Sequence, residues 1–230
     1  MQAMTLKPSH LLFFAVAALE MGSSIFGWNS VHLWVKPLIM ITLITLYLKE
    51  GGAVNKTFVA ALFFCWTGDV ILLFDEFNLQ FFVTGLGSFL VAHLLFIFSY
   101  RHFRLAGISM VGTQRVRLSF PIVLAGSGLL MVLYPRLGDL KIPVTVYALV
   151  LTLMVLQSIF RFGRTSTQSF WLVFSGAVLF MISDSLLAIN KFYQPIRYAD
   201  FWVMTTYLAA VYLIVVGVIA HQRGLAGTKK

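Results

Sequence analysis

Hydrophobic residues run along almost the whole chain in long segments, and short polar stretches separate them. The segments are close to the roughly 20 residues that a helix needs to cross a hydrocarbon core of about 30 Å. We therefore predict an all-α membrane protein, an eight-span transmembrane helical bundle that forms a single domain over residues 1–230. The predicted spans cover residues 11–27, 31–48, 58–74, 81–100, 119–134, 143–160, 170–189 and 201–220.

The composition supports this class. Hydrophobic residues make up 60% of the 230 residues and charged residues only 11%, with a mean hydropathy of +0.90, which is far from the usage of soluble domains. The net charge of +9 does not indicate a nucleic-acid partner, because the basic residues sit at span ends, where anionic headgroups attract them. The lipid bilayer is the expected partner, and the sequence identifies no protein partner.

The basic residues also predict the orientation. Most of them lie in the N-terminal segment, in the connections after the second, fourth and sixth spans, and in the C-terminal segment. The positive-inside rule then places both termini in the cytoplasm. This pattern and the short loops are typical of a bacterial inner-membrane protein, although an endoplasmic reticulum membrane imposes the same rule.

Common cofactor and metal motifs are missing from the sequence. Cys65 is the sole cysteine and the histidines are scattered, so neither an intramolecular disulfide nor a zinc site is predicted. The chain has no G-x-S-x-G elbow, P-loop or dinucleotide fingerprint. We expect no metal and no organic cofactor.

Two apolar spans each carry a carboxyl group near the middle of the membrane: Asp69 in CWTGDVILLF and Asp184 in FMISDSLLAI. At about 1.5 Å per residue they lie about 17 Å and 21 Å from the cytoplasmic ends of their spans. An ionisable group there costs about 2.5–3.5 kcal/mol and usually faces the bundle interior. Lys36, Tyr147 and Tyr207 fall in the outer halves of their spans, so one cavity for the whole set is predicted.

Structural interpretations of these residues stay open. Either aspartate could form an interior salt bridge with Lys36, or Lys36 could extend to the outer interface. His93 could be a hydrogen-bonded histidine between helices, and Glu20 could be structural or line the cavity. Ser183 could hydrogen-bond its neighbour Asp184 or its own helix backbone.

Paired carboxyl groups suggest acid–base chemistry. Two such groups in a dry cavity do not both ionise readily, so one keeps a proton while the other stays charged. The pair then supplies a general acid and a general base. It suits a reaction that passes through an oxocarbenium-like cation, and it equally suits peptide hydrolysis or proton-coupled transport.

Five segments, taken in order, resemble the lysoplasmalogenase (YhhN) family of eight-span membrane proteins. They are VKPL at 35–38, TGDVILL at 67–73, GLGSFLVAHLLF at 85–96, GAVLFMISDSLLAINKF at 176–192 and TYLAAVYLI at 206–214. The resemblance implies hydrolysis of the vinyl ether bond of a lysophospholipid substrate, alkenyl lysophosphatidylethanolamine or lysophosphatidylcholine. The products would be a fatty aldehyde and glycerophosphoethanolamine or glycerophosphocholine.

The same resemblance assigns residues. Asp69 and Asp184 match the two essential acids of the family, and we favour Asp184 as the acid because apolar side chains lie one turn away. The resemblance and the depth of the polar side chains in the membrane together predict six substrate-binding residues: Lys36, His93, Tyr147, Ser183, Asn190 and Tyr207. Lys36 is expected to bind the phosphate of the substrate near the outer interface.

Two other functions use the same carboxyl groups. An intramembrane aspartyl protease would show Gly-x-Gly-Asp, whereas this chain has Trp66-Thr67-Gly68-Asp69. A proton-coupled transporter or a lipid-binding membrane protein fits the sequence better, and it predicts substrate movement across liposomes without any product.

Overall fold

A computed structural model describes residues 7–75, 77–105 and 112–227. Within these ranges the chain is helical, without strands. The α-helices are α1 (Pro8–Phe26), α2 (Asn29–Glu50), α3 (Lys56–Leu72), α4 (Leu79–His102), α5 (Gly112–Leu133), α6 (Lys141–Ile159), α7 (Thr167–Phe192) and α8 (Ala199–Gly227). Two short 3-10 helices, Tyr134–Arg136 and Gly138–Leu140, connect α5 to α6.

Seven helices are long and apolar enough to cross a membrane, as judged by length and composition. The protein is therefore an all-helical, multi-pass membrane protein, as the sequence predicted. The helix outside this set is α3, which has 17 residues and spans about 26 Å, slightly less than a hydrocarbon core of about 30 Å. The eight-span count and the cytoplasmic termini stay predictions.

Two helices extend well beyond their predicted spans. Helix α5 begins at Gly112 and α8 continues to Gly227, each seven residues past the limits of 119 and 220. Hydropathy marks the hydrocarbon core, whereas helical hydrogen bonds continue into the polar region until a turn signal ends them. Pro37 and Pro121 lie inside helices, which membrane helices tolerate because neighbouring groups satisfy the freed backbone.

Glycines allow the helices that carry the two aspartates to pack closely on their neighbours. A Cβ atom on Gly68 of α3 would lie 2.6 Å from the Phe89 ring of α4. A Cβ atom on Gly176 of α7 would lie 2.7 Å from the backbone oxygen of Ala210 in α8. Small residues at such crossings are typical of membrane helix pairs, and α3–α4 and α7–α8 are the most extensive pairs of this bundle.

The first and last helices meet at the end of α2. The Glu50 carboxylate lies 3.2 Å from Lys7 Nζ and 3.3 Å from His10 Nε2. Arg223 Nη2 of α8 donates to Glu50 Oε2 at 2.6 Å. The start of α1 and the end of α8 therefore lie at one end of the bundle, together with the α2–α3 and α6–α7 connections and the last turn of α4. We call this the basic end.

The close α7–α8 crossing can be tested with paired glycine variants. We expect Gly176→Ala to destabilise the protein by about 1–3 kcal/mol, because the new methyl group forces the two helices apart. Gly87→Ala is the matched control, since a Cβ atom there meets nothing within 4 Å. The measurement is thermal unfolding of each purified variant in detergent, and equal midpoints for the two variants would contradict the described crossing.

Candidate active site

Asp69 is buried on α3, with only 3% of its surface exposed. The hydroxyl of Tyr207 on α8 donates a hydrogen bond of 2.8 Å to Asp69 Oδ2. Lys36 on α2 and Glu20 on α1 both lie within electrostatic range of this carboxyl group. Asp69 is thus held by a neutral donor, with one cation and one further acidic group nearby.

Asp184 on α7 has the same kind of partner. The hydroxyl of Tyr147 on α6 donates to Asp184 Oδ2 at 2.5 Å. His93 on α4 is fully buried, and its Nε2 lies 4.0 Å from the same oxygen, which is beyond hydrogen-bond distance. Neither ring nitrogen of His93 has a hydrogen-bond partner among the described residues.

An aromatic wall joins the two tyrosine–aspartate pairs. The Phe180 ring lies 5.4 Å from the Tyr207 ring and 4.7 Å from the His93 ring, measured between centroids. Phe89 packs against Phe180 and Tyr207 at 6.2 Å and 6.0 Å. The two carboxyl groups lie within range of direct electrostatic interaction. They therefore belong to one site, in which like charges disfavour ionisation of both groups.

An apolar groove adjoins the Asp184 side of this site. It contains about 610 Å³ of empty space including its opening, and Tyr147 and Asp184 form part of its wall. Helices α4 to α7 supply the rest of the lining, which includes Leu86, Leu130, Leu133, Leu151, Met181 and Phe192. The apolar lining of this open groove suits an alkyl chain.

Glu20 and His32 form a second polar pair beside Asp69, in which the His32 side chain is partly exposed. Glu20 is fully buried, and His32 Nδ1 lies 2.7 Å from its Oε1, close but not aligned as a hydrogen bond. His32 precedes Lys36 by one turn on α2, so the two basic side chains share a helix face. The pair connects α1 to α2 next to the site.

Two predicted site residues make contacts elsewhere. Ser183 Oγ donates to the backbone oxygen of Val203 at 3.0 Å, which connects α7 to α8. Asn190 Oδ1 accepts from the backbone nitrogen of Ile196 at 2.9 Å, which stabilises the turn after α7. Their roles in substrate binding stay predictions. In the described ranges, no group of three or more His, Cys, Asp or Glu side chains could hold a metal ion.

Sequence reasoning identified apolar side chains one turn from Asp184, Phe180 among them, but it did not identify Cys65 as a neighbour of Asp69. Cys65 and Phe180 are fully buried, and each lies one turn before an aspartate. The spacing of four residues, which places side chains on one helix face, was the available signal. The Glu20–His32 contact had no comparable signal, because its residues belong to different helices.

The chain is similar to proteins of a known family. The model of the YhhN family matches residues 31–218. The chain belongs to the YhhN family. The resemblance predicted from the five segments is therefore confirmed.

Several similar proteins carry an enzyme name. Lysoplasmalogenase TMEM86B of Sus scrofa is 31% identical to this YhhN protein over 188 residues, 82% of this chain and 74% of the relative. Lysoplasmalogenase TMEM86B of Homo sapiens is 29% identical with the same coverage. Lysoplasmalogenase of Mycobacterium tuberculosis is 35% identical over 168 residues, 72% of this chain and 61% of the relative. No solved structure matches this YhhN protein significantly.

The contact between Glu20 and His32 predicts a coupled effect on stability. We expect His32→Gln to lower the free energy of unfolding by about 1–3 kcal/mol, because it leaves the buried Glu20 carboxyl group without the imidazole that faces it. Adding Glu20→Gln should recover most of this loss, since no buried acid then remains. Thermal unfolding of both single variants and the double variant measures the coupling. His102→Gln, at an exposed histidine, is the control, and simple additivity would argue against the pair.

Proposed function

We propose that this YhhN protein is a lysoplasmalogenase that hydrolyses the vinyl ether bond of a lysoplasmalogen with two intramembrane aspartates. The observation that supports this most directly is the pair of buried carboxyl groups, each hydrogen-bonded by a tyrosine, next to an apolar groove. The names of the relatives support the substrate class. The products are a fatty aldehyde and glycerophosphoethanolamine or glycerophosphocholine.

The reaction begins with proton transfer to carbon. The protonated carboxyl group gives its proton to the vinyl carbon distal to the ether oxygen, and the carbon bonded to oxygen becomes an oxocarbenium ion. The ionised carboxylate stabilises this cation and removes a proton from the attacking water. The resulting hemiacetal then breaks its bond to the glycerol oxygen. The carboxyl group that took the proton from water gives it to this oxygen, which leaves as an alcohol. The other carboxylate takes the hydroxyl proton of the hemiacetal, so that both groups return to their starting states. Atoms balance with one water, and neither a metal nor an organic cofactor takes part.

The proposal assigns the acid to Asp184 and the base to Asp69. Asp184 is the aspartate in the groove wall, where an alkenyl chain would lie. Lys36 lies within electrostatic range of Asp69, and a nearby cation favours the ionised form of a carboxyl group. The two tyrosines position the carboxyl groups, and His93, 4.0 Å from Asp184, is near enough to hydrogen-bond it after a small movement.

The substrate itself explains why the site lies inside the membrane. Its alkenyl chain would occupy the groove between α4, α5, α6 and α7, and its phosphate would interact with Lys36. A lysolipid can enter from the bilayer, so the reacting bond never has to leave an apolar environment. Headgroup preference is not specified by any of these contacts.

For topology, we propose eight membrane crossings with both termini in the cytoplasm of a bacterial cell, and α3 as the shortest crossing. An even number of crossings agrees with the meeting of α1 and α8 at the basic end through Glu50. The concentration of positive charge at that end supports a cytoplasmic orientation.

The central test uses Asp69→Asn and Asp184→Asn, which keep the shape and remove the acid. We expect each variant to lose about 10²–10⁴-fold in kcat for aldehyde release from alkenyl lysophosphatidylethanolamine, because each removes a proton donor or acceptor. Asp139→Asn is the control, since Asp139 is exposed in a 3-10 helix and should leave the rate unchanged. Aldehyde is followed with a coupled dehydrogenase.

No aldehyde from folded wild-type protein, with either ethanolamine or choline headgroups, would refute the hydrolase. Transport of lysolipid across liposomes without product would then favour the transporter, and binding alone would favour the lipid-binding protein.

The groove makes a separate prediction about chain length. Ala188 lines the groove one turn beyond Asp184, so we expect Ala188→Phe to raise KM for long alkenyl chains by about tenfold while short chains are less affected. Ala125→Phe, at an exposed position of α5, introduces the same side chain outside the groove. Equal KM changes in the two variants would show that the alkenyl chain of the substrate binds outside this groove.

A further inference from the structure

A group of arginines gathers at the basic end of the bundle. Arg104, just after α4, interacts electrostatically with Arg101, Arg115 and Arg164, and also with Arg161. The guanidinium groups of Arg104 and Arg115 lie 5.9 Å and 6.0 Å from the centre of the same ring, Phe160. We call these five residues, Arg101, Arg104, Arg115, Arg161 and Arg164, the arginine cluster.

Arg161 is the most unusual member because it is fully buried. Its Nη2 donates to Ser169 Oγ at 2.9 Å, and its guanidinium lies over the Tyr100 ring at 5.6 Å. Its Nε and Nη1 have no hydrogen-bond partner within the described ranges, and neither does the buried Tyr100 hydroxyl. A buried cation with free donors is unfavourable unless an anion balances it.

Within residues 7–75, 77–105 and 112–227, no side-chain carboxylate forms an ion pair with this cluster. Glu50, the acidic residue of the basic end, is already in contact with Lys7, His10 and Arg223. The segment 106–111 contains neither Asp nor Glu.

The arginines also repel one another. Burial, together with the neighbouring charges of Arg164, Arg101 and Arg115, lowers the pKa of Arg104 to about 10. Burial lowers the pKa of Arg161 to about 10, and the charge of Arg104 contributes. Both groups remain protonated at neutral pH, so a bound anion would stabilise the whole cluster.

We propose that the arginine cluster binds a phosphate group, from the headgroup of an anionic phospholipid or from a soluble phosphate ester. Guanidinium groups match phosphate oxygens in geometry and charge. The cluster lies at the ends of three membrane helices, α4, α5 and α6, the level at which phospholipid headgroups lie. Attraction of surface arginines to the membrane does not account for a buried Arg161 with two unpartnered nitrogens.

This site is separate from the aspartates. Ser169, which holds Arg161, lies on the same helix as Asp184 but about 22 Å along its axis. A phosphate here would bridge the segment after α4 and the turn after α6, which one backbone hydrogen bond already connects, from Leu105 N to Arg164 O at 3.0 Å. The proposal therefore does not depend on the hydrolase chemistry.

The test measures thermal unfolding of the purified full chain in detergent. One arm replaces sodium chloride with sodium phosphate at constant ionic strength, and the other adds dioleoyl phosphatidylglycerol or, for comparison, zwitterionic dioleoyl phosphatidylcholine. The variants are Arg104→Gln and Arg115→Gln. The matched control is Arg117→Gln, because Arg117 is exposed and lies two residues from Arg115, on the opposite face of α5. Arg161 is left intact because its removal would change the buried packing.

We expect phosphatidylglycerol to raise Tm of the wild type by at least about 3 °C, and Arg104→Gln and Arg115→Gln to reduce this shift at least threefold while Arg117→Gln keeps it. A rise in Tm with phosphatidylglycerol alone identifies the ligand as a lipid headgroup. A rise with inorganic phosphate as well shows that the cluster also accepts soluble phosphate esters. An unchanged wild-type Tm in both arms would overturn the proposal. An equal loss of the Tm shift in Arg117→Gln would also overturn the proposal, because the shift would then come from the general positive charge of the surface and not from the cluster.

Discussion

A carboxyl group in an apolar interior needs a hydrogen-bond donor within reach. In this bundle the two carboxyl groups and their donors lie on four different helices, so this requirement fixes how those helices pack. Asp69 on α3 depends on α8 for Tyr207, and Asp184 on α7 depends on α6 for Tyr147. Glycines at the α3–α4 and α7–α8 crossings let the helices that carry the aspartates pack closely on α4 and on the helix of Tyr207. The polar centre therefore lies among closely packed helices.

The choice of tyrosine as the partner has a chemical consequence. A phenolic hydroxyl can donate to a carboxylate, and it can rotate to accept from a carboxylic acid. A lysine or arginine in the same place would favour the charged form alone. The tyrosine–aspartate pairs thus accommodate either protonation state with little movement. Acid–base chemistry needs that tolerance, because each carboxyl group must gain and lose a proton during every turnover.

Sequence reasoning succeeded for properties that depend only on position along the chain. The length of each apolar run predicted the helices, and depth along the helix predicted that Asp69, Asp184, Tyr147 and Tyr207 lie at similar levels. Depth does not specify the direction in which a side chain points, so the sequence did not pair each tyrosine with its aspartate. It did not reveal that Ser183 bonds to α8 either. Hydropathy also missed the polar continuations of α5 and α8, because helical hydrogen bonding does not stop at the edge of the hydrocarbon.

The contacts of Glu50 and Asp69 have a consequence for assembly. Both acids lie in the first third of the chain, yet one donor to each, Arg223 for Glu50 and Tyr207 for Asp69, belongs to the last helix. Glu50 also has Lys7 and His10 as early partners, whereas Asp69 depends on α8 for its hydrogen bond. A ribosome delivers the acids to the membrane long before it delivers α8. The early helices must therefore wait in an incomplete, partly hydrated arrangement, and the arrival of α8 closes the bundle and excludes water from its centre in the same step.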